Sequence, residues 1–174
     1  MKATAKKDGD DWVLNGTKHF ISHADIADFS IVFMATGEET TPRGVKKLIT
    51  AFFVDKGTQG FEIRDGYRNV SHRGYTNSIL DFNDCRLPNE NVLGEIHGGF
   101  DVANSWLGAT RLQVAATCIG RAERAFEHSV NWSADRKQFG QSIGKFQGVS
   151  FKLADMAMEI KAANLMVLEA GWKY

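Results

Sequence analysis

A change of period at Pro88 constrains this 174-residue chain more than any other feature. Before it, apolar residues come in short runs broken by turn residues. After it no proline occurs, and the apolar spacing becomes helical. The later positions Phe146, Val149, Leu153, Met156, Ile160, Ala163, Val167 and Ala170 follow one another in alternating steps of three and four. Such steps keep one stripe on one side of an α-helix. An earlier helix over about 100–136 carries Ala103, Leu107, Val114, Cys118, Ala122 and Ala125 on a comparable stripe. Gly140 fits the left-handed position just past a helix end. Two long helices joined by a short break form an antiparallel hairpin. Each has an apolar face wider than the other can cover, so burial against something outside the hairpin is expected.

The first half reads as β-structure. Asp8-Gly9 and Asn15-Gly16 are hairpin signals, because both pairs tolerate the positive φ of tight turns. Around the second lie the runs 12–14 and 17–22, and further β-rich runs cover 29–35, 49–54 and 79–82. Residues 37–47 are polar, include Pro42 and Gly44, and read as a mobile loop; 57–60 is another turn. Several short strands separated by turns imply an antiparallel barrel or sandwich. The expected fold is thus α+β and multidomain, with an antiparallel β-barrel or sandwich over 1–96. Long antiparallel helices of an incomplete four-helix bundle follow over 97–174.

Bulk properties remove several function classes. Lys+Arg and Asp+Glu both number 21, so the formal charge is zero and no polybasic footprint for nucleic acid exists. Single cationic sites for phosphate remain open. No apolar run approaches the ~18 residues of a membrane span. Cys85 and Cys118 form no CxxC, sit in unlike contexts and follow no signal-like N-terminus, which predicts reduced thiols in a cytoplasmic protein. The histidines have no metal-ligand spacing, so no metal site is assigned.

Three stretches could carry chemistry. On a strand over 17–22, Phe20 and Ser22 share one face and Ile21 points to the other. A ring beside a hydroxyl suits a planar heteroaromatic ligand, by stacking plus one hydrogen bond. A core phenylalanine with a satisfied serine has the same spacing. Arg136, followed by Lys137, Gln138 and Phe139, places a fixed planar cation at a helix end. It suits a pyrophosphate, or it simply complements the helix dipole. Phe139 is either a loop anchor or an adenine platform. Gly108, Ala109 and Thr110 make a small-residue patch beside Arg111, able to admit a ligand or another helix.

Set in order, the motifs become specific. Leu14-Asn15-Gly16-Thr17-Lys18 with Phe20-Ile21-Ser22, His72-Arg73-Gly74 and Phe82-Asn83-Asp84-Cys85-Arg86-Leu87-Pro88 are followed by Asn91-Val92-Leu93-Gly94 and Gly99-Phe100. Arg136-Lys137-Gln138-Phe139-Gly140, Phe146-Gln147 and Leu153-Ala154-Asp155-Met156 complete the series. On these the chain resembles the acyl-CoA dehydrogenase family along essentially its whole length. The resemblance implies most of a middle β domain, without its N-terminal part, and the first two helices of a C-terminal helical domain. It implies FAD as cofactor and α,β-dehydrogenation of an acyl-CoA thioester. In that reaction a glutamate takes the α proton, flavin N5 accepts the β hydride, and electrons leave to an electron-transfer flavoprotein.

Residue by residue, the resemblance implies that Phe20, Ile21 and Ser22 line the isoalloxazine ring. The family usually has Trp and Thr where Phe20 and Ser22 stand, and the ring and the hydroxyl are kept. Arg136, Lys137, Gln138 and Phe139, with Phe146 and Gln147, would contact the FAD of a neighbouring subunit in a homodimer, usually within a homotetramer. Gly108, Ala109, Thr110 and Arg111 would fall at the acyl-CoA pocket. Some members place the catalytic glutamate where Thr110 stands, and a threonine cannot replace it, so no catalytic residue is assigned. The base, a Gly-rich FAD loop and the acidic-glycine-serine motif are expected outside these residues, which makes the chain by itself inactive. Two other readings stay open: a flavin-dependent oxidase or monooxygenase of the same fold, and a non-catalytic interaction module.

Overall fold

The computed structural model describes residues 2–174; residue 1, where the first expected domain begins, lies outside them. The chain separates into two compact units, Met1–Ser105 and Trp106–Tyr174.

In the first unit the strands are β1 (Thr4–Asp8), β2 (Asp11–Ser22), β3 (Phe29–Thr41), β4 (Gly44–Asp55), β5 (Phe61–Tyr67), β6 (Asn77–Pro88) and β7 (Val92–Leu93). They form one curled seven-stranded sheet, a half-barrel, in the order β5-β6-β2-β1-β3-β4-β7. Every pairing is antiparallel except β1 with β3, which meet in parallel at Thr4 and Ala35. Trp12 and Leu14 of β2, Val32 and Met34 of β3, Phe52 and Val54 of β4, and Leu80 and Phe82 of β6 fill one buried core. The period-2 alternation of β2 and β3 sends these residues to one face. Trp12 meets Phe52 edge-on at 5.4 Å, the arrangement a ring quadrupole favours.

Two local readings are corrected. Asp8-Gly9 does begin the β1–β2 hairpin, with Asp8 paired to Asp11. Asn15-Gly16 does not turn the chain; it lies inside β2, beside a register shift between Leu14 and Gly16. The Asn15 amide donates to Asp84 Oδ1 at 2.9 Å, and Asn15 Oδ1 accepts the Asp84 backbone N–H at 2.9 Å. This clasp holds Asp84 at φ +47° as the extra residue on β6. Gly16 itself has φ +120°, and a Cβ there would stand 2.8 Å from Ala3 Cα. The glycine is required, but for a close crossing and not for a reversal.

Residues 37–47 are not a loop. Glu38 faces Lys47 and Glu39 faces Lys46 across β3 and β4, which extend to Thr41 and Gly44. Opposite charges directly across an antiparallel pair support the ladder, and Thr41 Oγ1 donates to Gly44 O at 2.8 Å to close the tip.

In the second unit, α1 (Gly99–Asp135, which starts in the first) and α2 (Gln147–Lys173) run antiparallel. Their ends meet where the Tyr174 ring approaches Gly108, and their middles where Asn164 Nδ2 donates to Glu123 Oε1 at 3.5 Å. The stripe expected on α2 is the half-buried one, from Val149 through Leu153, Met156, Ile160 and Ala163 to Val167; Ala170 is exposed. On α1 the inward residues are Leu112, Ala115, Ile119, Ala122, Phe126 and Ser133. Of the stripe expected there, Val114, Cys118 and Ala125 are exposed. α1 has apolar residues on two sides, so spacing alone found a face without showing which one meets α2. The other faces carry exposed Trp132 on α1, and Phe151, Met158, Leu165 and Trp172 on α2. The unmatched apolar surface expected of the hairpin is therefore present.

Candidate functional site

The stretch Phe20–Ser22 sits on a second irregularity of β2. Lys18 pairs with Leu80, but Ile21 pairs with Ser78, so β2 carries one extra residue between them. Phe20 takes φ +58°, a conformation rare for a bulky side chain and worth noting at a site. The bulge turns Phe20 outward, where it stays 64% exposed, while Ile21 packs against the core and Ser22 is exposed. Ring and hydroxyl are both accessible, and the isoleucine is not. Lys18 is half-buried, and that burial holds its ammonium below the usual lysine value.

The connection from β5 to β6 supplies a second layer. Tyr67, the last residue of β5, stacks on Phe20 with centroids 4.3 Å apart and planes inclined by 17°, and its hydroxyl lies 3.1 Å from His19 Nδ1. Tyr75 donates its phenolic hydrogen to Ser22 Oγ, and His23 meets the same ring edge-on at 4.4 Å. The His23 backbone N–H donates to Thr76 O at 3.1 Å, so the two segments are tied together just past the bulge. Beside them opens a polar cavity of about 410 Å³ lined by Asp25, Tyr67, Arg68, Arg73 and Tyr75. Thr76 Oγ1 donates to Asp25 Oδ1 at 2.6 Å, and this bond lowers the Asp25 pKa from its ordinary value. Neither Arg68 nor Arg73 forms an ion pair among the described residues.

Tyr67, Arg68 and Tyr75 were not singled out from the sequence, and Arg73 only as part of a motif. Their signal was there to read: Gly66-Tyr67-Arg68 and Arg73-Gly74-Tyr75 put two aromatic–basic pairs between adjacent strands.

The Arg136 region is a turn with its own ladder. α1 ends at Asp135; β8 (Lys137–Gln138) then pairs with β9 (Gln141–Ser142). Phe139 at φ +50° and Gly140 at φ +79° form its two-residue tip, the pair of positive φ angles that a type I′ hairpin needs. Gly140 is therefore a hairpin residue and not the helix-terminating glycine expected, because the chain leaves α1 before reaching it. The Arg136 backbone closes the arm at both sides, donating to Trp132 O at 2.9 Å and accepting from Ile143 N at 2.8 Å. Ser133 is buried beneath Gly144, whose Cβ would lie 3.2 Å from Ser133 O. The tip projects Phe139, 93% exposed, with Phe146 edge-on to it at 6.1 Å. Arg136, Lys137, Gln138 and Gln147 are exposed as well, and Arg136 and Lys137 have no ion pair among the described residues. The arm therefore holds two cations and an aromatic ring in water.

Of the small-residue patch, Gly108 and Arg111 line a groove of about 350 Å³ with Leu112, Met166, Val167 and Tyr174. Ala109 and Thr110 lie off it, and the Thr110 hydroxyl is bonded to Trp106 O at 3.1 Å. No Asp or Glu side chain among the described residues lines the groove. Cys85 is fully buried in the core and Cys118 exposed on α1; both are free thiols. No helix among the described residues is long and apolar enough to cross a membrane.

A curled half-barrel sheet followed by two long helices recurs in known proteins. Residues 1–85 match the family model described as acyl-CoA dehydrogenase, middle domain, and 97–174 that described as acyl-CoA dehydrogenase, C-terminal domain. A probable acyl-CoA dehydrogenase of Mycobacterium tuberculosis is 38% identical over 171 residues, covering 98% of this chain and 43% of the relative. The structure of butyryl-CoA dehydrogenase from Megasphaera elsdenii superposes with a TM-score of 0.82 at 39% identity, over 97% of this chain and 43% of that one. A prolyl acyl carrier protein oxidase superposes at 0.83 with 32% identity, over 99% and 44%. The chain belongs to the acyl-CoA dehydrogenase family. It spans less than half the length of the relatives it matches.

Proposed function

We propose that these residues are the middle β domain (1–96) and the first two helices of the C-terminal helical domain (97–174) of an FAD-dependent acyl-CoA dehydrogenase. The observation that carries the reading is the Phe20–Ser22 bulge, where an exposed ring stands beside a hydroxyl still able to donate. A planar heteroaromatic ring fits that pair by stacking and one hydrogen bond, with Ile21 as the anchor behind it. Arg136 and Lys137, on a hairpin arm and without an ion pair among the described residues, fit a pyrophosphate; Phe139 offers a platform for adenine, and Gln138, Phe146 and Gln147 border it. We take this arm to reach the FAD of a neighbouring copy in a homodimer or homotetramer, which the unmatched apolar faces of α1 and α2 support.

Gly108 and Arg111 are assigned to the acyl-CoA substrate, with Ala109 and Thr110 on the same turn. When bound, the flavin supplies a two-electron acceptor for the hydride leaving the acyl β carbon. This chain's residues bind and orient; with no Asp or Glu side chain on the groove among the described residues, we assign none of them as the base for the α proton, and the isolated chain is expected to be inactive. An electron-transfer flavoprotein is the proposed electron acceptor and the cytoplasm the proposed location.

Mixed dimers test the shared site. In the full-length protein, Ser22→Ala and Arg136→Gln each weaken FAD binding at every site of a homodimer. If the arm crosses between subunits, a heterodimer of the two variants holds one intact site and one doubly impaired site, so half of its sites bind FAD as the wild type does. Uniform weakening in the heterodimer would refute the crossing.

The second reading is an oxidase, favoured by the likeness to the prolyl acyl carrier protein oxidase at 32% identity. Rapid reoxidation of the substrate-reduced flavin by oxygen would decide for it.

A further inference from the structure

We propose that Tyr75 is a positioning residue for the ligand bound at Phe20–Ser22: it fixes Ser22 as a hydrogen-bond donor. The inference rests on the flavin reading of that bulge and concerns a residue outside it.

A serine hydroxyl has one proton to give and two lone pairs to accept with. Free in water it rotates and can present either. Here Tyr75 donates to Ser22 Oγ, which fills an acceptor site and leaves the serine's own proton to point elsewhere. Ser22 is exposed, so that proton is directed at whatever docks on the outer face of the bulge. The donor chain runs from the Tyr75 phenol through Ser22 to an acceptor on the ligand. Each link polarises the next, an effect of about 10–30% per bond.

Two further contacts indicate a built arrangement. Tyr75 is itself held by the edge of His23 at 4.4 Å and by the His23–Thr76 backbone bond at 3.1 Å, so the phenol arrives from a pinned segment. Tyr67, from the other end of the same connection, stacks on Phe20 at 4.3 Å. The two tyrosines thus back the ring and the hydroxyl of the site, one each. A loop that only needed closing would have no reason to direct one aromatic to each site residue.

The test uses the full-length protein with its flavin. Tyr75→Phe removes one oxygen from a partly exposed ring and should weaken flavin binding about fivefold, the size of one neutral hydrogen bond. It should also shift the absorption bands of the bound flavin. In a Ser22→Ala background the same change should do neither, because the donor it orients is gone. Ser22→Thr, which keeps the hydroxyl, should keep the dependence on Tyr75. Should Tyr75→Phe not fold, Tyr75→Leu removes the same donor and should give the same loss of affinity and spectral shift with Ser22 present, and neither in the Ser22→Ala background. Unchanged affinity and spectrum in a folded Tyr75→Phe protein would overturn the proposal, as would an equal effect with and without Ser22. A wild-type protein that holds no flavin would instead remove the reading beneath it, and the two failures are told apart by that first measurement.

Discussion

Asn15→Ala should destabilise the β unit by about 2 kcal/mol, although Asn15 is only half-buried and is not part of the buried core cluster. The substitution removes two hydrogen bonds to Asp84, each 2.9 Å long. The one that accepts the Asp84 backbone N–H is neutral and contributes about 1 kcal/mol. The one to the carboxylate is charge-assisted, but Asp84 is exposed, so its contribution is also reduced to about 1 kcal/mol. Asp84 is held at φ +47°, and the clasp is what holds it there. Asp84→Gly, which accepts positive φ without strain, should therefore recover part of the loss in the Asn15→Ala background. Asn15→Asp should be worse than Asn15→Ala, since it sets two carboxylates against each other. Urea unfolding read by tryptophan fluorescence suits the question, because Trp12 is 3% exposed in the core while Trp106, Trp132 and Trp172 are exposed. An Asn15→Ala loss under about 0.5 kcal/mol, the size of an ordinary surface change, would refute the clasp. An Asn15→Asp protein as stable as the wild type would refute it too.

Gly16→Ala should cost at least as much as losing the clasp, since a Cβ there meets Ala3 Cα at 2.8 Å in a backbone of φ +120°; equal melting temperatures would contradict this. Thiol labelling of the native protein should modify Cys118 quickly and leave Cys85 untouched until denaturant is added, because burial pushes the Cys85 pKa up to about 11. Asp81 is held below the usual carboxylate range, first by Arg64 and then by Thr17. A lowered folded-state pKa gives stability that is present at neutral pH and lost as pH falls through that lowered value. Asp81→Asn should hence lower the melting temperature at pH near 7, and the gap from wild type should close as the pH falls below about 4; a gap independent of pH would count against the pairing.

What the sequence revealed and what it hid divide along physical lines. The α2 stripe from Val149 to Val167 was readable because period alone defines it and it is the half-buried face of that helix. On α1, apolar residues on two sides made the period ambiguous, and Val114 and Cys118 belong to the exposed side. Asp8-Gly9 and Asn15-Gly16 carry the same local signal for positive φ. Only the tertiary partner decides whether it reverses the chain or forms a bulge, and Asn15 meets Asp84 from 69 residues away. Gly140 carries a related ambiguity, since a hairpin tip and a helix end ask for the same backbone. Glu38 and Glu39 looked like loop residues until Lys47 and Lys46 were set opposite them.

At the candidate site, the ring and hydroxyl of Phe20 and Ser22 were visible as spacing. The bulge that exposes them and the tyrosines behind them were not, because they depend on the pairing of β2 with β6 and on a connection with no period to read.

The most direct test of the account is anaerobic titration of the purified full-length protein with acyl-CoA thioesters of graded chain length, following the absorbance of bound flavin. The protein should carry FAD, and at least one thioester should bleach it to the two-electron-reduced form. A folded protein that holds no flavin, or whose flavin stays oxidised with every thioester, would contradict it.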